Sequence, residues 1–329
     1  MDFSFITAPI SAGYAAVQEF LFDNILAPIL YQFNLMGWAE DAFDGLDWFL
    51  FGCVQVFLIF VVLRVWERIA PAETQERFAK STAADVMYTL FHRLGIFHGL
   101  IFIALSGFFF EMDSILHDFR FGRLNVESWW EPITSIPLIS FLIYLILLDL
   151  VEYLYHRASH TFNWWWKLHS LHHSQTVMTA WSDNRNHILD DILRAVVFAF
   201  FALLFGVSPG QFIALVVVSQ FIQSWQHANI KVSLGRFQYF FISPMFHRMH
   251  HAVGYGHEVI GKPGVLGGCN FGILFPWWDV LFKTAIFPKD IYPTGVRDLS
   301  VSNNLFIQQW QCFVLSLREI KKSLRKQRL

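Results

Sequence analysis

The sequence predicts an all-α integral membrane protein with about four to five transmembrane helices and a cytoplasmic helical cap that carries clustered histidines. Of the 329 residues, 55% are hydrophobic and only 15% are charged, whereas soluble domains average about 25% charged residues. Several apolar stretches approach the roughly 20 residues that a membrane-spanning helix needs. Histidines, finally, concentrate in one half of the chain. The formal net charge of -2 argues against a nucleic-acid partner.

Five apolar stretches are candidates for membrane-spanning helices. They run from 48 to 63, from 94 to 110, from 136 to 148, from 195 to 207 and from 212 to 221. The third continues as a helix to His156, so its last turns must leave the lipid or enter protein. Ser208, Pro209 and Gly210 join the fourth and fifth stretches and allow only a tight helical hairpin.

The chain contains one predicted membrane domain, 46–290, with a segment on either side. The N-terminal segment, 1–45, is interrupted by Asp23 and Pro28, and we expect it at the membrane interface. The C-terminal segment, 291–329, contains a basic amphipathic helix from about Asn304 to Arg328. We expect this helix to be solvated or to contact anionic lipid.

The distribution of basic residues predicts which face of the membrane is cytoplasmic. Counting crossings from the first stretch puts 67–93, 149–194 and everything after 222 on one side. Most of the lysines and arginines lie there, whereas the opposite loop, 111–135, has only Arg120 and Arg123. The first side is therefore predicted to be cytoplasmic. The histidine clusters all fall on this side.

Histidine spacing predicts a metal centre. His156 and His160 stand four residues apart, on one face of a helix. An HxxHH pattern then occurs twice, and its members are His169, His172, His173, His247, His250 and His251. Eight histidines exceed the four ligands of a structural zinc site, so two metal ions are implied. Imidazole suits iron, zinc and copper alike, so the ligand type leaves the metal open.

Polar residues near the histidines are candidates to support them. Asp149, Glu152 and Tyr153 precede His156 on its helix face, and metal-bound imidazoles usually donate their other N–H to a carboxylate or carbonyl. The alternative for the carboxylates is an interfacial contact with Arg157 or water. Two further histidines, near or within the second stretch, are interpreted as packing residues of the helical bundle: His92 and His98.

Several motifs accompany the histidines between Asp149 and Thr284. They are HRASH (156–160), LHSLHHS (168–174), RNH (185–187), QHAN (226–229), PMFHRMHH (244–251), NFG (270–272) and WDVLFKT (278–284). As a set, they resemble the fatty acid hydroxylase and sterol desaturase superfamily of membrane di-iron enzymes.

This resemblance implies that the eight box histidines bind two iron ions, with zinc as an occupant that purified protein could also carry. It adds His227 and His187 as further ligands and Asn270 as a supporting residue. Dioxygen is the implied co-substrate. No fused cytochrome b5 is visible in the sequence, so a separate partner, a ferredoxin or a cytochrome b5-like protein with its reductase, is expected to supply electrons.

The implied function is hydroxylation of a membrane-lipid C–H bond in an acyl or polar lipid, with sterols as a further option. A lipid or sterol desaturase with the same di-iron site is the closest alternative. Two other classes are a haem electron-transfer protein and a metal transporter. A haem needs only one axial pair, and a transporter favours metal ligands within the spans. The many closely spaced histidines outside the spans disfavour both.

Overall fold

The computed structural model describes residues 4–74, 80–118, 124, 126–131 and 136–326. Most of these residues are helical, which confirms the predicted all-α class. The exception is a short antiparallel hairpin of β1 (Glu258–Val259) and β2 (Lys262–Leu266).

The N-terminal part consists of helices that pack on one another. They are α1 (Ser4–Leu21), α2 (Ala27–Gln32), α3 (Ala39–Leu58) and α4 (Arg64–Ile69). Single π-helical turns join α1 to α2 and α3 to α4. The Gln18 amide donates to Asp47 over 3.1 Å, which ties α1 to α3. The placement of 1–45 at the membrane interface stays a prediction.

Two further long helices pass beside α3. Helix α5 (Lys80–Arg93) turns at Gly95, whose φ of 77° favours glycine, into α6 (Ile96–Asp118). Helix α7 (Pro137–Ser159) begins with proline at its first position, where the missing N–H costs nothing. In the described part of the chain, three helical segments are long and apolar enough to cross a membrane: Met36–Ile69, Ile96–His117 and Pro137–Ser159.

The predicted helical hairpin is present as α9 (Ile188–Phe205) and α10 (Pro209–His227). Gly206, with a φ of 79°, ends α9, and Ser208 forms a capping box with Gln211 at the start of α10. These helices are not among the three candidate spans, so a count of four to five spans stays a prediction. The location of the histidine clusters on the cytoplasmic side also stays a prediction. Arg120 and Arg123 lie outside the described residues.

The remaining helices are α8 (Asn163–His173), α11 (Pro244–His250), α12 (Trp277–Leu281) and α13 (Leu305–Lys326). Helix α13 packs against α8 and confirms the predicted C-terminal helix, although Arg328 lies outside the described residues. A hydrophobic cluster packs the π-helical turn after α3 against the loops after α8 and α10. It includes Ile59, Leu63, Trp181 and Ile230. This cluster fixes these loops next to the histidines.

Candidate metal centre

Nine buried histidines form two groups. Within each group, one ring nitrogen per histidine lies within 4.8 Å of the others. Group one consists of His156, His160, His169, His173 and His250. Group two consists of His172, His227, His247 and His251. Each group therefore brings together enough imidazole nitrogens to hold one metal ion.

The two HxxHH patterns are each divided between the groups. On α8, the first and last histidines of the pattern enter group one, and the middle one, His172, enters group two. The pattern that begins on α11 has the opposite division, because its middle histidine, His250, is the one that enters group one. Helical spacing alone could not reveal this exchange.

Three histidines of group one have one ring nitrogen occupied and the other free. His156 Nδ1 lies 2.9 Å from the Phe271 carbonyl, and His169 Nδ1 lies 2.8 Å from Asp190 Oδ2. His250 Nδ1 lies 2.7 Å from the Cys269 carbonyl. Because these partners only accept, each Nδ1 carries the proton in the neutral ring. The Nε2 lone pairs are buried and have no hydrogen-bond partner. This is the tautomer that metal binding through Nε2 requires.

Group two is closed by contacts between ring nitrogens. His227 Nδ1 lies 2.8 Å from the Gln223 carbonyl, so its Nε2 offers a single lone pair. That Nε2 lies 3.2 Å from His172 Nε2 and 3.1 Å from His247 Nε2, and His247 Nε2 lies 3.2 Å from His251 Nε2. Each Nε2 has either one proton or one lone pair, so the three contacts cannot all be hydrogen bonds. A cation placed among the four imidazole lone pairs would satisfy all four nitrogens, so these residues fit a metal ion.

Burial keeps these imidazoles neutral. It lowers the pKa of His250 to about 3, with the neighbouring imidazoles acting in the same direction and the Cys269 carbonyl against it. Burial and then the surrounding histidines also hold the pKa values of His172, His173 and His251 well below the ordinary value. At neutral pH, these rings therefore keep the lone pairs that a metal needs.

The predicted supporting carboxylates bind other partners. Asp149 accepts hydrogen bonds from Leu274 N at 2.8 Å, from Phe275 N and from Trp278 Nε1. It thereby anchors the 274–278 segment to α7. Glu152 forms a two-pronged ion pair with Arg194, at 2.9 and 2.8 Å. Both side chains lie near the histidines, but through these contacts neither orients one directly.

Tyr153 and Asn270 also act through the late segments of the chain. The Tyr153 hydroxyl lies 3.0 Å from Thr284 Oγ1. Asn270 has a left-handed φ of 58° and bonds the Phe246 carbonyl and both backbone groups of Ile286. It therefore fixes the loop that offers the neighbouring carbonyls to group one.

His187 lies outside both groups. Its Nδ1 caps α9 by accepting from Leu189 N at 3.1 Å, and its Nε2 lies 3.0 Å from the Gln309 carbonyl on α13. Both ring nitrogens therefore have partners, which differs from the ligand role implied by the resemblance. The position before the first turn of a helix explains the difference, because the first N–H groups of a helix need acceptors.

Asp190 is a supporting residue that the sequence offers only as a weaker candidate than Asp149. Besides His169, it accepts from the Tyr155 hydroxyl at 2.6 Å and from Trp165 Nε1 at 2.7 Å. It follows the RNH motif by three residues, but the sequence has no signal that pairs it with His169. Backbone carbonyls serve the other histidines, and no sequence pattern marks a carbonyl.

A cavity of about 300 Å³ extends from the histidines between α6, α7, α9 and α10. Histidines of both groups line it, together with apolar side chains such as Phe102, Leu145, Phe198 and Leu215. His92 and His98, predicted to be packing residues, line the cavity as well. The cavity therefore brings an apolar wall next to histidines of both groups.

The fold and the site define a class: helical proteins with long apolar helices and two buried groups of histidines suited to metal. Comparison with known proteins shows which family within this class the chain resembles. Residues 141–284 match the fatty acid hydroxylase family. The match covers the histidine motifs and confirms the predicted resemblance to the fatty acid hydroxylase and sterol desaturase superfamily.

Relatives span several members of this superfamily. The chain is 26% identical over 273 residues to ornithine lipid hydroxylase OlsE of Rhizobium tropici, covering 82% of this chain and 76% of the relative. It is 29% identical over 140 residues to alkylglycerol monooxygenase of Caenorhabditis elegans, covering 43% and 26% of the two chains. Identity to the Delta(7)-sterol 5(6)-desaturase ERG3B of Gibberella zeae is 23% over 233 residues, covering 70% and 64%.

These relatives have hydroxylase, monooxygenase and desaturase names, all of which denote oxidoreductases. The predicted enzyme class, an oxidoreductase, is therefore confirmed. The chain covers about three quarters of the ornithine lipid hydroxylase but about a quarter of the Caenorhabditis monooxygenase. No solved structure matches the chain significantly.

Proposed function

We propose that this protein is an integral membrane, dioxygen-dependent di-iron oxygenase that hydroxylates a C–H bond of a membrane lipid. The observation that carries the proposal is the pair of buried histidine groups, with unpartnered nitrogens, at one end of a largely apolar cavity. The match to the fatty acid hydroxylase family and the three candidate spans support the same interpretation.

The histidines divide into two ligand sets in this proposal. Group one holds one iron ion and group two the other, which makes His227 a ligand and leaves His187 as a helix cap. Bound iron supplies the dioxygen-activating redox chemistry that side chains lack. The protein holds the imidazoles in the binding tautomer through Asp190 and the Phe271, Cys269 and Gln223 carbonyls.

The overall reaction balances with an external electron source. A lipid C–H bond and O2, with two electrons and two protons, give a hydroxylated lipid and water. A separate ferredoxin or cytochrome b5-like partner with its reductase supplies the electrons, at the cytoplasmic face where we place the histidines. Burial of the groups keeps bulk water from the reacting carbon.

A desaturase is the second candidate, because a sterol desaturase is among the relatives and would use the same metal centre. In that case two hydrogens leave the lipid, and O2 is reduced to water with the same external electrons. The two reactions diverge only after the first hydrogen has been removed. The mass of the product distinguishes them.

The first experiment is metal analysis of protein that was expressed with iron and purified in detergent. We expect about two iron ions per chain, most of them lost when His172→Ala is combined with His173→Ala, because this pair removes one ligand from each group. The exposed His117, on α6, provides the matched control His117→Ala. A folded wild-type protein without stoichiometric metal would overturn the proposal.

Product analysis then tests the reaction. Membrane lipids from cells that express the wild type, with its electron donors, should contain a species heavier by one oxygen atom. The double histidine variant should not produce it. A species lighter by two hydrogen atoms instead would favour the desaturase.

A further inference from the structure

The helices that line the cavity have apolar side chains far from the histidines and polar side chains next to them. On α7, the lining residues are the apolar Leu145 and Leu148, then Asp149 and Glu152, and then Tyr155 and the group-one histidine His156. With a rise of about 1.5 Å per residue, Glu152 lies about 6 Å and Leu145 about 16 Å from His156 along the helix axis. A charged side chain thus stands between the metal centre and the apolar wall.

Helix α10 repeats the order in the same direction. Its apolar lining residues, Phe212, Leu215 and Val216, are followed by the polar Ser219, Gln220 and Gln223 and then by His227 of group two. Two long helices that end at different metal groups therefore both have a polar zone before the histidines.

Helix α9 runs the opposite way and has the reverse order. It begins with Asp190, which contacts His169, continues with Asp191 and Arg194, and then lines the cavity with Phe198. The opposite wall has its polar residues at the same level, because His92 Nε2 lies 3.3 Å from Asp191 Oδ2.

We call five of the titratable residues in this zone the polar collar. They are His92, His98, Glu152, Asp191 and Arg194, and all five line the cavity. The collar separates the histidine groups from the apolar part of the cavity.

Several polar atoms of the collar lack hydrogen-bond partners. Asp191 is 7% exposed, and its Oδ2 makes no hydrogen bond despite facing His92. His98 Nδ1 is likewise buried without a partner. Arg194 uses two of its five N–H donors for Glu152, and a third of its side chain remains accessible. Unpartnered buried polar atoms are costly, and a polar ligand would relieve that cost.

We propose that the polar collar binds the head group of a polar lipid, so that the C–H bond attacked lies in the head group or within a few bonds of it. The inference rests on the proposed oxygenase function and specifies its substrate class. The acyl chain then occupies the apolar part of the cavity. A hydrocarbon that presented a distant methylene to the metals would lie against Asp191 Oδ2 and His98 Nδ1 and give neither atom a hydrogen bond.

The collar favours a head group with both an acceptor and a donor. The remaining Arg194 donors suit carboxylate or phosphate oxygens, and the Asp191 carboxylate suits an ammonium or hydroxyl group. An aminoacyl lipid, with a carboxylate and a free amine, has both. The name of one relative, an ornithine lipid hydroxylase, denotes a substrate of this chemistry.

A binding experiment tests the collar independently of metal chemistry. Metal-free protein in detergent is titrated with an N-acylornithine and with a chain-matched N-alkyl amide that lacks both charges, and the bound fraction is read by native mass spectrometry. We expect the wild type to bind the ornithine lipid at least about tenfold more tightly than the amide, since charged hydrogen bonds are involved. Equal affinities would overturn the proposal, whether or not the protein binds iron.

The variant combines Arg194→Gln with Glu152→Gln, so that neither charge remains buried alone. It should lose most of the preference for the ornithine lipid, keep its affinity for the amide and retain the metal content of the wild type. The control Arg297→Gln breaks an arginine–glutamate pair, with Glu258, whose members are not among the cavity-lining residues. The control should keep the full preference. An unchanged preference in the double variant would contradict the proposal.

Product analysis provides a second test. Tandem mass spectrometry of the hydroxylated lipid should place the new oxygen in the head-group fragment or at the adjoining carbons of the chain. Oxygen in the distal half of the acyl chain would overturn the collar proposal and leave the oxygenase function intact. Absence of both metal and product would overturn the oxygenase function, whereas the binding preference is measured without either.

Discussion

Asp190 Oδ2 lies 2.8 Å from His169 Nδ1, a contact that joins the first turn of α9 to a histidine of group one. The same carboxylate accepts from Tyr155 and Trp165, so three donors converge on it in a buried site. Such a carboxylate fixes both the orientation and the tautomer of the imidazole. It also shows how a residue 21 positions away in the sequence supports the metal centre.

The first prediction concerns this contact. Asp190→Asn keeps the shape of the side chain but removes its charge, so His169 loses its strongest acceptor. We expect metal affinity to fall by about 10- to 100-fold, as is typical when a supporting partner is removed. A competitive chelator titration measures the effect. The control Asp290→Asn, at an exposed carboxylate, should behave like the wild type, and equal affinities in all three proteins would contradict the assigned role.

The second prediction is a pH dependence of the metal-free protein. Burial lowers the pKa of His250 to about 3 and holds those of His172, His173 and His251 well below the ordinary value. At a pH below the ordinary histidine pKa of about 6.5 but above the lowered pKa values of the folded protein, these histidines bind protons in the unfolded chain and not in the folded one. Stability should therefore fall as the pH falls below about 6.5.

Thermal unfolding in detergent at several pH values measures this slope. The combined variant His172→Gln with His173→Gln removes two of the contributing groups, so its stability should depend less steeply on pH. His117→Ala changes an exposed histidine and should leave the slope unchanged. A slope that is the same in the double variant and the wild type would show that other groups cause it.

Much of the site was predictable because its signal is local. Histidines three or four residues apart on a helix must share a face, and nine histidines that the sequence singled out meet in the two groups. The division of each HxxHH pattern between groups depends on how α8 and α11 face one another. Local spacing contains no information about that arrangement.

The supporting contacts were less predictable because their partners are distant in sequence or belong to the backbone. Asp149 is on the predicted helix, but its partners are the Leu274 and Phe275 amides, more than 120 residues later. His187 has the residue type of a ligand, yet its position before α9 makes it a cap. Residue type suggested a role in both cases, and tertiary placement decided it.

The third prediction concerns Arg93, a buried arginine at the end of α5. Its guanidinium donates to Asp183, Asn184 and Gln55, and Asp183 Oδ1 lies 3.7 Å from His227 Nδ1. Arg93→Met would leave the Asp183 carboxylate buried without its cation, which typically costs about 3–5 kcal/mol. We expect a corresponding loss of unfolding free energy and weaker metal binding at group two.

Thermal or denaturant unfolding in detergent checks the stability of this variant. Lys322→Met provides the control, because Lys322 is exposed and pairs with Glu319 three residues away on α13. Adding Asp183→Asn to Arg93→Met should recover part of the lost stability, since the uncompensated charge is then removed. If Arg93→Met and Lys322→Met were equally stable, the buried network around Arg93 would not contribute the stability assigned to it.

The last prediction concerns the link between α7 and the loop that supports group one. Asp149 holds Leu274 N, Phe275 N and Trp278 Nε1, and the same segment includes Phe271, whose carbonyl orients His156. Asp149→Ala would leave two buried backbone donors and the part-buried Trp278 Nε1 without their acceptor, at about 1–3 kcal/mol for each buried donor before relaxation. We expect a loss of at least about 3 kcal/mol in unfolding free energy, together with weaker metal binding.

Asp149→Asn separates the two effects, because its amide oxygen can still accept while its charge is lost. It should unfold at a temperature between those of the wild type and Asp149→Ala and should retain more metal than the alanine variant. Hydrogen exchange at the 271–275 amides reports the link directly, and protection should decrease in the same order. If exchange in this segment were unchanged in Asp149→Ala, the carboxylate would not be what holds the loop against α7.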